Sequence, residues 1–447
     1  MSSICLLGKR RCACHGPDVS TDKTLPHPLR IADFRAYVIA RMAMTLAQYG
    51  MLLVIGWQTY NIARDSGMSV AGASGQLALI GLLQFVPLFL LTPFTGLAAD
   101  HFDRRNLARL TIFLQLGCAT VLALLTEQDA VTLHWLYLVA VVLGIARAFT
   151  GPTLSALAPN LVPKAVLPNA IALSSIAWQV GMIGGPALGG YLYGIFPALP
   201  HGVAAGLFVV SILALSFIGP VPQSQIARNR HPVGQVIDGL RYVWQNKMVL
   251  GSITLDLFAV FLAGATALFP VYARDILKVG ETGLAQLAMA PAVGAAVTAL
   301  WFSINPLKNN VGPKMMAAVA VFGLATIIFG LSTSMPLSLA MLFIVGCADM
   351  FSVYIRQSLI QLHTPDDKRG RVSAVSQMTI SASNEFGDFF SGGLAFLFGP
   401  VAAVVAGGVG AIATVALWSR IFPVLRTTKT FDPPAHLDDD SLQERVS

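Results

Sequence analysis

Long apolar runs separated by short charged turns are the feature that most restricts how this chain can fold. Residues 77–95 contain no charged side chain, and residues 107–125 contain only Arg109. Each run is long enough to cross the roughly 30 Å hydrocarbon core of a bilayer as a helix. The segment between the runs, residues 96–105, concentrates aspartates and arginines. It therefore predicts a loop at a membrane face.

The composition extends this pattern to the whole chain. Of the 447 residues, 55% are hydrophobic and only 11% are charged, which is too few charges to cover a water-soluble protein of this size. The apolar runs are continuous and do not alternate with polar residues, so we expect an all-α membrane protein and not a barrel of strands. The net charge of +7 comes from loops between spans, and we expect no nucleic-acid partner.

Twelve candidate spans divide into two groups of six. They cover residues 34–61, 73–98, 105–126, 132–154, 167–194, 201–219, 247–272, 281–304, 313–332, 335–357, 370–397 and 400–422. The longest polar stretch between spans, 220–246, predicts a cytoplasmic linker between six-helix bundles at 34–219 and 247–422. Residues 1–33 are predicted to form a cytoplasmic arm. Residues 423–447 are predicted to form a cytoplasmic tail that is disordered from 427 onward.

An internal repeat supports this division. When the chain is shifted by 202 residues, Gly144 falls on Gly346 and Pro163 falls on Pro365. Spans four and five therefore repeat as spans ten and eleven, in the same orientation. Two pseudo-symmetric six-helix halves of this kind are typical of transporters.

The placement of the cations predicts the orientation. With both termini in the cytoplasm of a bacterial cell, only Arg64, Arg274 and Lys278 lie in external loops, as the positive-inside rule requires. We expect a multi-pass protein of the inner membrane, and a monomer.

Several chemical functions lack a sequence signal. Cys12, Cys14 and His15 are close together, but no second ligand pair follows at a zinc-like spacing. No phosphate-binding loop of the GxxxxGK[S/T] type occurs, nor any pattern of nucleophile and base. We therefore expect no metal, no cofactor, no direct use of ATP and no enzymatic activity.

Four charged residues fall inside predicted spans, where each costs about 2.5–3.5 kcal/mol and is a candidate for function. Arg41 and Arg147 belong to the first half, and Asp256 and Asp349 to the second. In the repeat, Arg147 falls on Asp349, and a looser register places Arg41 on Asp256. One hypothesis is that the arginines face the aspartates across the interface between halves, and that protonation of an aspartate releases its arginine. The alternative is that each charge is paired within its own half or reaches the membrane surface.

A second acidic pair lies on span eleven. Glu385 and Asp388 are three residues apart, hence on one helix face. Two close carboxylates can hold a proton near neutral pH. A hydrogen-bonded polar patch between helices explains the same pattern equally well.

Aromatic and amide side chains on the spans are candidates for lining a substrate cavity, because their mixture suits an amphipathic or aromatic ligand. Most of these aromatic residues would serve equally well in packing against lipid or other helices. The candidates are Gln48, Trp57, Phe85, Trp178, Gln179, Phe258, Phe261 and Tyr354.

Span five contains GMIGGPALGG, in which small residues allow a neighbouring backbone to approach closely and a proline bends the helix. These residues also match the antiporter motif of exporters in the major facilitator superfamily, in which the motif is thought to form a hinge between domains. The matching positions are Gly181, Gly185, Pro186, Gly189 and Gly190.

Further motifs resemble the same superfamily, in its branch of bacterial drug and siderophore exporters. They are DFRAYVIARM, DKRGRVSAV and EFGDFFSGGLAFLFGP, together with GLAADHFDRR, where Gly96, Asp100, Arg104 and Arg105 fit the loop between helices two and three. In that loop His101 and Asp103 depart from the pattern. The resemblance implies that 96–105 is part of a gate, and that spans one, four, seven and ten line a central cavity.

These observations predict a secondary transporter that exports a small organic molecule by alternating access, in exchange for protons. An uptake symporter or a facilitator would use the same fold. A membrane sensor that transports nothing is a third interpretation.

Overall fold

The computed structural model describes residues 28–101, 103–163, 166–219, 232–307 and 309–431. The regular structure within these ranges is helical. The α-helices are α1 Ala32–Asp65, α2 Val70–His101, α3 Arg104–Glu127, α4 Leu133–Leu157, α5 Leu167–Ile195, α6 Leu199–Ser216, α7 Pro232–Gln245, α8 Lys247–Leu262, α9 Phe269–Val271, α10 Gly280–Ile304, α11 Val311–Leu331, α12 Met335–Leu362, α13 Asp366–Phe398, α14 Pro400–Ile421 and α15 Pro423–Thr427.

Eleven segments in the described part of the chain are long and apolar enough to cross a membrane, and the chain is a multi-pass membrane protein. The predicted eleventh span differs from the others. It is α13, a helix of 33 residues whose apolar part is limited to Phe386–Phe398. The polar remainder is explained by its neighbours, because α13 packs along α2 and α8 and so presents less surface to lipid.

The helices pack in two groups that meet along two seams. Helices α1 to α6 contact one another, as do α8 and α10 to α14, and the groups meet where α2 packs on α13 and α5 on α10. Two repeat-related glycines allow equivalent close contacts within the groups. A Cβ atom on Gly144 of α4 would lie 2.5 Å from the Gln84 carbonyl oxygen of α2, and one on Gly346 of α12 would overlap the Pro291 carbonyl oxygen of α10.

The predicted seventh span is a broken helix. After α8 ends at Leu262, the chain forms a 3-10 turn at Thr266–Leu268, the short α9 and a π-helical turn at Tyr272–Ile276. Pro270 lacks the amide hydrogen that a regular helix needs, and π turns are often found at functional positions. The break places Arg274 and Asp275 against the end of α1.

The two ends of the molecule are called proximal, where α1 begins at Ala32, and distal, where α1 ends at Asp65. At the proximal end, part of the predicted linker is the helix α7, whose Tyr242 hydroxyl donates to the His363 carbonyl at 2.8 Å. The chain after α14 is also ordered as far as Phe431. The expectation of disorder is wrong for residues 427–431, because the Gly312 amide of α11 donates to the Thr428 carbonyl at 3.1 Å. Residues 1–27 and 432–447 lie outside the described residues.

Candidate functional site

The most buried charges of the described chain form an ion pair between α8 and α12. Asp256 contacts Arg356, and their side chains are 9% and 3% exposed. Removing one partner from such a pair leaves an unpaired buried charge, which is strongly unfavourable. Asp256 and Arg356 therefore fix the position of α8 relative to α12.

A second acid lies beside this pair. Asp349, two turns before Arg356 on α12, lines a small cavity together with Asp256. The other lining residues come from α8, α11 and α12 and are Ala259, Val260, Val319, Phe322, Ala348 and Ser352. The structure thus brings the two predicted acids together in one half of the molecule, around a single arginine.

Arg41 lies in a network of neutral groups in the other half. Its guanidinium donates to the Tyr37 hydroxyl at 2.9 Å and to the Ser155 hydroxyl of α4 at 3.5 Å. The Tyr37 hydroxyl also lies 2.9 Å from the Ser174 hydroxyl of α5. The network links α1, α4 and α5 around a half-buried cation.

Arg147 contacts α2, where its guanidinium donates to the Gln84 side-chain oxygen at 3.1 Å. The hydrogen bonds described above for Arg41 and the ion pair of Asp256 both stay within their own halves. The opposing arrangement of arginines and aspartates across the interface remains a prediction for a conformation in which the proximal ends approach.

Arg356 was missed because the tenth span was predicted to end at residue 357, which made this arginine a boundary cation. In the structure α12 continues to Leu362, and Arg356 is only 2% exposed. Its seven-residue spacing from Asp349, two turns along one helix face, was the available signal.

Polar contacts between the two helix groups close the distal end. The Arg64 guanidinium of α1 binds both carboxylate oxygens of Asp275, at 3.0 and 3.3 Å, and the Tyr60 hydroxyl donates to the same carboxylate. Two parallel donors give such a pair a defined geometry.

A reciprocal pair lies beside it. The Arg274 guanidinium of the π turn contacts Asp65 of α1 at 2.5 Å and the side-chain oxygen of Asn61 at 2.6 Å. We call Tyr60, Asn61, Arg64, Asp65, Arg274 and Asp275 the distal clasp. In the sequence, Arg64 and Arg274 served only to predict the orientation. No pattern in the sequence predicts contacts between residues more than 200 positions apart.

The predicted antiporter motif lies where α5 meets α1. A Cβ atom on Gly185 would lie 2.8 Å from the Leu46 carbonyl oxygen, and one on Gly189 would lie 2.7 Å from the Gly50 carbonyl oxygen. One on Gly181 would lie 2.5 Å from the Thr45 Cβ atom. These glycines therefore permit direct backbone contact between the two helices.

The last residue of the motif faces the other half. A Cβ atom on Gly190 would lie 2.6 Å from the Ala285 Cβ atom of α10. Pro186, in the middle of the motif, lies within a helix that continues to Ile195. The motif therefore joins α5 to α1 within one half and to α10 across the interface.

In the predicted gate segment, Asp103 has a specific structural role. Its carboxylate caps α3 by accepting from the Arg105 amide at 2.9 Å, and it pairs with the Arg105 guanidinium at 2.7 Å. Hydrogen bonding by the Arg105 side chain lowers the pKa of the Asp103 carboxyl. Arg104 donates to the Ala156 carbonyl of α4 at 3.1 Å. Gly96 lies within α2, which extends to His101, and the side chain of Asp100 lies outside the described part of the structure.

Aromatic rings meet at the α2–α13 seam. The ring of Phe386, on α13, lies 5.3 Å from the rings of Phe85 on α2 and Phe261 on α8. Asp388, two residues further along α13, accepts from the Thr266 hydroxyl at 3.0 Å. The side chain of Glu385 lies outside the described residues. Two predicted lining residues and the predicted acid Asp388 thus share one region at the interface.

The other predicted lining residues are dispersed. Trp57 is 3% exposed within an apolar cluster near the distal end. The ring of Phe258 contacts Trp418 at a tilted angle, and Tyr354 stacks on Phe302. Gln48, Trp178 and Gln179 are half-buried. Their part in substrate binding stays a prediction.

Two named relatives match nearly the whole chain. The multidrug efflux pump Tap of Mycobacterium tuberculosis is 27% identical over 402 residues, which are 84% of this chain and 94% of Tap. The enterobactin exporter EntS of Escherichia coli O1:K1 is 26% identical over 424 residues, which are 92% of this chain and 96% of EntS.

Solved structures share the fold. A bacterial homologue of the human lysosomal transporter Spinster superposes with a TM-score of 0.67 at 17% identity, covering 90% of this chain and 99% of the homologue. A D-xylose–proton symporter superposes with a TM-score of 0.67 at 11% identity, covering 88% of this chain and 98% of the symporter. The model of the Major Facilitator Superfamily matches residues 36–387. The chain therefore belongs to the Major Facilitator Superfamily, in agreement with the motifs and the repeat in its sequence.

Proposed function

We propose that the protein exports a small organic molecule, with the chemistry of a drug or a siderophore, across the bacterial inner membrane by alternating access and in exchange for protons. The observation that carries the proposal is the match, over more than four-fifths of the chain, to two relatives named as an efflux pump and an exporter. The antiporter motif, with its backbone contacts between α5 and α1, supports the same direction of transport.

The buried acids supply a means of coupling. Asp349 and Asp256 line one cavity within the membrane-spanning part of the chain, and among the described residues Arg356 forms an ion pair with Asp256. Taking up a proton at Asp349 removes a buried negative charge, so the two protonation states favour different helix arrangements. Asp349 is the residue we assign to proton exchange, because Asp256 is already engaged in its ion pair with Arg356.

The distal clasp supports a state of the transporter that is closed at the distal end. With the N-terminus in the cytoplasm, the clasp closes the external end, and the interface between the halves opens at the cytoplasmic end. Substrate enters from that side and meets the aromatic rings of Phe85, Phe261 and Phe386. Their stacking favours ligands with an aromatic or broad apolar surface.

Proton movement in inverted membrane vesicles tests the proposal. An imposed pH gradient is monitored while lipophilic drugs and a catecholate siderophore are added one at a time. We expect at least one compound to dissipate the gradient in vesicles with the wild-type protein but not with Asp349→Asn. The matched control is Glu127→Gln, because Glu127 is an exposed acid at the end of α3. Loss of activity in both variants, or in neither, contradicts the role of Asp349.

Two other functions give different results. Labelled substrate that accumulates in the direction opposite to efflux indicates an uptake symporter, and equilibration without proton movement indicates a facilitator. A sensor gives no flux with any compound.

The charge of the substrate is tested through Arg147, which lies in the first half with Arg41. If the arginines attract an anionic or catechol-like substrate, Arg147→Ala abolishes export of anionic compounds and spares cationic dyes. The reverse result removes that assignment.

A further inference from the structure

The cavity between α8, α11 and α12 contains more negative than positive charge. Arg356 neutralises Asp256, with which it forms its ion pair. Asp349 lines the same cavity, and the described lining residues include no cation. Val319 and Phe322 form its apolar α11 wall. An ionised Asp349 is therefore energetically unfavourable here unless a positive charge lies in the cavity.

A buried hydroxyl without a hydrogen-bond partner lies beside this charge. Ser352 lies one turn after Asp349 on α12, lines the cavity and is 5% exposed. Within the described part of the chain its hydroxyl makes no hydrogen bond. A buried hydroxyl is normally hydrogen-bonded, so Ser352 points to an occupant of the cavity that takes an oxygen ligand.

We propose that this cavity binds one Na⁺ ion, held by the carboxylate of Asp349 and the hydroxyl of Ser352. The ion balances the charge of Asp349 and occupies the lone pair of a hydroxyl that otherwise has no partner. A divalent or transition-metal ion fits the site less well, because one of the two carboxylates is already paired with Arg356. The described residues also contain no group of three or more His, Cys, Asp or Glu side chains suited to a metal.

The inference rests on the proposed function, in which Asp349 takes up the exchanged cation. Na⁺ and a proton are alternative occupants of the same carboxylate. The charged groups around it are Asp256 from α8 and Arg356 from α12, while the α11 wall is apolar. The cavity thus offers Na⁺ a carboxylate that is not engaged by Arg356.

Binding of radiolabelled Na⁺ to the purified full-length protein in detergent, at mildly alkaline pH, tests the proposal directly. We expect saturable binding of one ion per chain, displaced by unlabelled Na⁺. Asp349→Asn should abolish this binding, and Ser352→Ala should weaken it several-fold. Ser358→Ala is the matched control, since Ser358 lies on the same helix but donates to its own Tyr354 carbonyl at 2.8 Å.

Each outcome of the binding experiment either supports or overturns the sodium site. Absence of saturable Na⁺ binding to the wild-type protein overturns the proposal, as does binding that survives Asp349→Asn. If Asp349→Asn does not elute as a single folded species, Ser352→Ala provides the test instead. Unchanged Na⁺ binding in Ser352→Ala then excludes this cavity as the binding site. Efflux is measured separately. Proton-driven efflux without Na⁺ binding overturns only the sodium site, and Na⁺ binding without efflux of any compound overturns only the proposed function.

Discussion

At the scale of single residues, we expect replacement of Arg356 to lower the stability of the protein most. Arg356→Met leaves Asp256 charged and buried without its partner, which we expect to lower the free energy of unfolding by about 3–5 kcal/mol. Asp256→Asn combined with Arg356→Met removes both charges and should recover most of that loss. Thermal unfolding of the purified variants in detergent measures both effects. A double variant as unstable as Arg356→Met would contradict a role for the pair.

His363, at the end of α12, should make stability depend on pH. Burial lowers the pKa of the His363 imidazole, because the charged ring is poorly solvated. The unfolded chain therefore takes up a proton at a higher pH than the folded chain does. Stability is full above the unfolded pKa of about 6.5 and is lost as the pH falls below it.

The measurement is the melting temperature of the purified protein between neutral and mildly acidic pH. We expect His363→Gln to flatten part of this dependence. His134→Gln is the matched control, because His134 is exposed and should leave the pH dependence unchanged. Equal slopes in the wild-type protein and His363→Gln would show that His363 contributes nothing.

The candidate residues illustrate what a sequence can predict at this scale. Asp256 and Asp349 were identified because a charge inside an apolar run is costly wherever the run folds. Arg356, the partner of Asp256, was not identified, because its burial depends on where α12 ends. Helix ends are poorly determined by local sequence. The Ser352 hydroxyl gave no signal at all, since serine is common in membrane helices and only the cavity makes it exceptional.

At the scale of elements, the seam between α5 and α10 depends on Gly190. Its Cβ would lie 2.6 Å from the Ala285 Cβ atom, whereas a Cβ on Gly194, one turn further, would make an ordinary contact of 3.4 Å with Thr282. Gly190→Ala should therefore separate the distal halves of α5 and α10 at a cost of about 1–3 kcal/mol. Gly194→Ala is the matched control.

The separation can be measured as the rate of disulfide cross-linking between cysteines placed on α5 and α10. We expect Gly190→Ala to slow it and to reduce transport, while Gly194→Ala leaves both unchanged. Equal rates in the two variants would mean that the helices absorb a methyl group without moving.

Element boundaries follow from composition except where the chain departs from a regular helix. Eleven spans were found because length and apolar content determine a membrane helix. The break after α8 was predicted as continuous helix, since Pro270 alone does not specify a π turn. The order of residues 427–431 depends on contacts with α11, which no local pattern reveals.

At the scale of the whole molecule, the distal clasp should set the balance between the two access states. Asp275→Arg places a cation opposite Arg64 and removes the acceptor of Tyr60. Losing these contacts should shift the equilibrium away from the distal-closed state by about 1–2 kcal/mol, roughly 5- to 30-fold. Adding Arg64→Asp reverses the polarity of the pair and should restore closure.

Electron spin distance measurements between labels at Ser66 and Lys278, both exposed near the distal end, report the change. We expect longer distances in Asp275→Arg, and distances like those of the wild-type labels when Arg64→Asp is added. Asp129→Asn changes an exposed acid outside the clasp and should have no effect. Longer distances in the double variant than in Asp275→Arg would contradict the pairing.

The overall architecture was accessible from the sequence because the repeat and the family motifs recur at fixed spacing. The contacts at the distal end were not, because Asp275 and its partner Arg64 on α1 are more than 200 residues apart and no local pattern pairs them.

The excess of one carboxylate in the cavity of α8, α11 and α12 has an electrical consequence. When Asp349 is ionised and the cavity is empty, the cavity holds one uncompensated negative charge inside the membrane. Each elementary charge that crosses the full field gains or loses about 2.3 kcal/mol per 100 mV. The resting voltage of the cell therefore acts on this charge in the empty carrier, and occupation of the cavity by a single positive ion cancels that contribution.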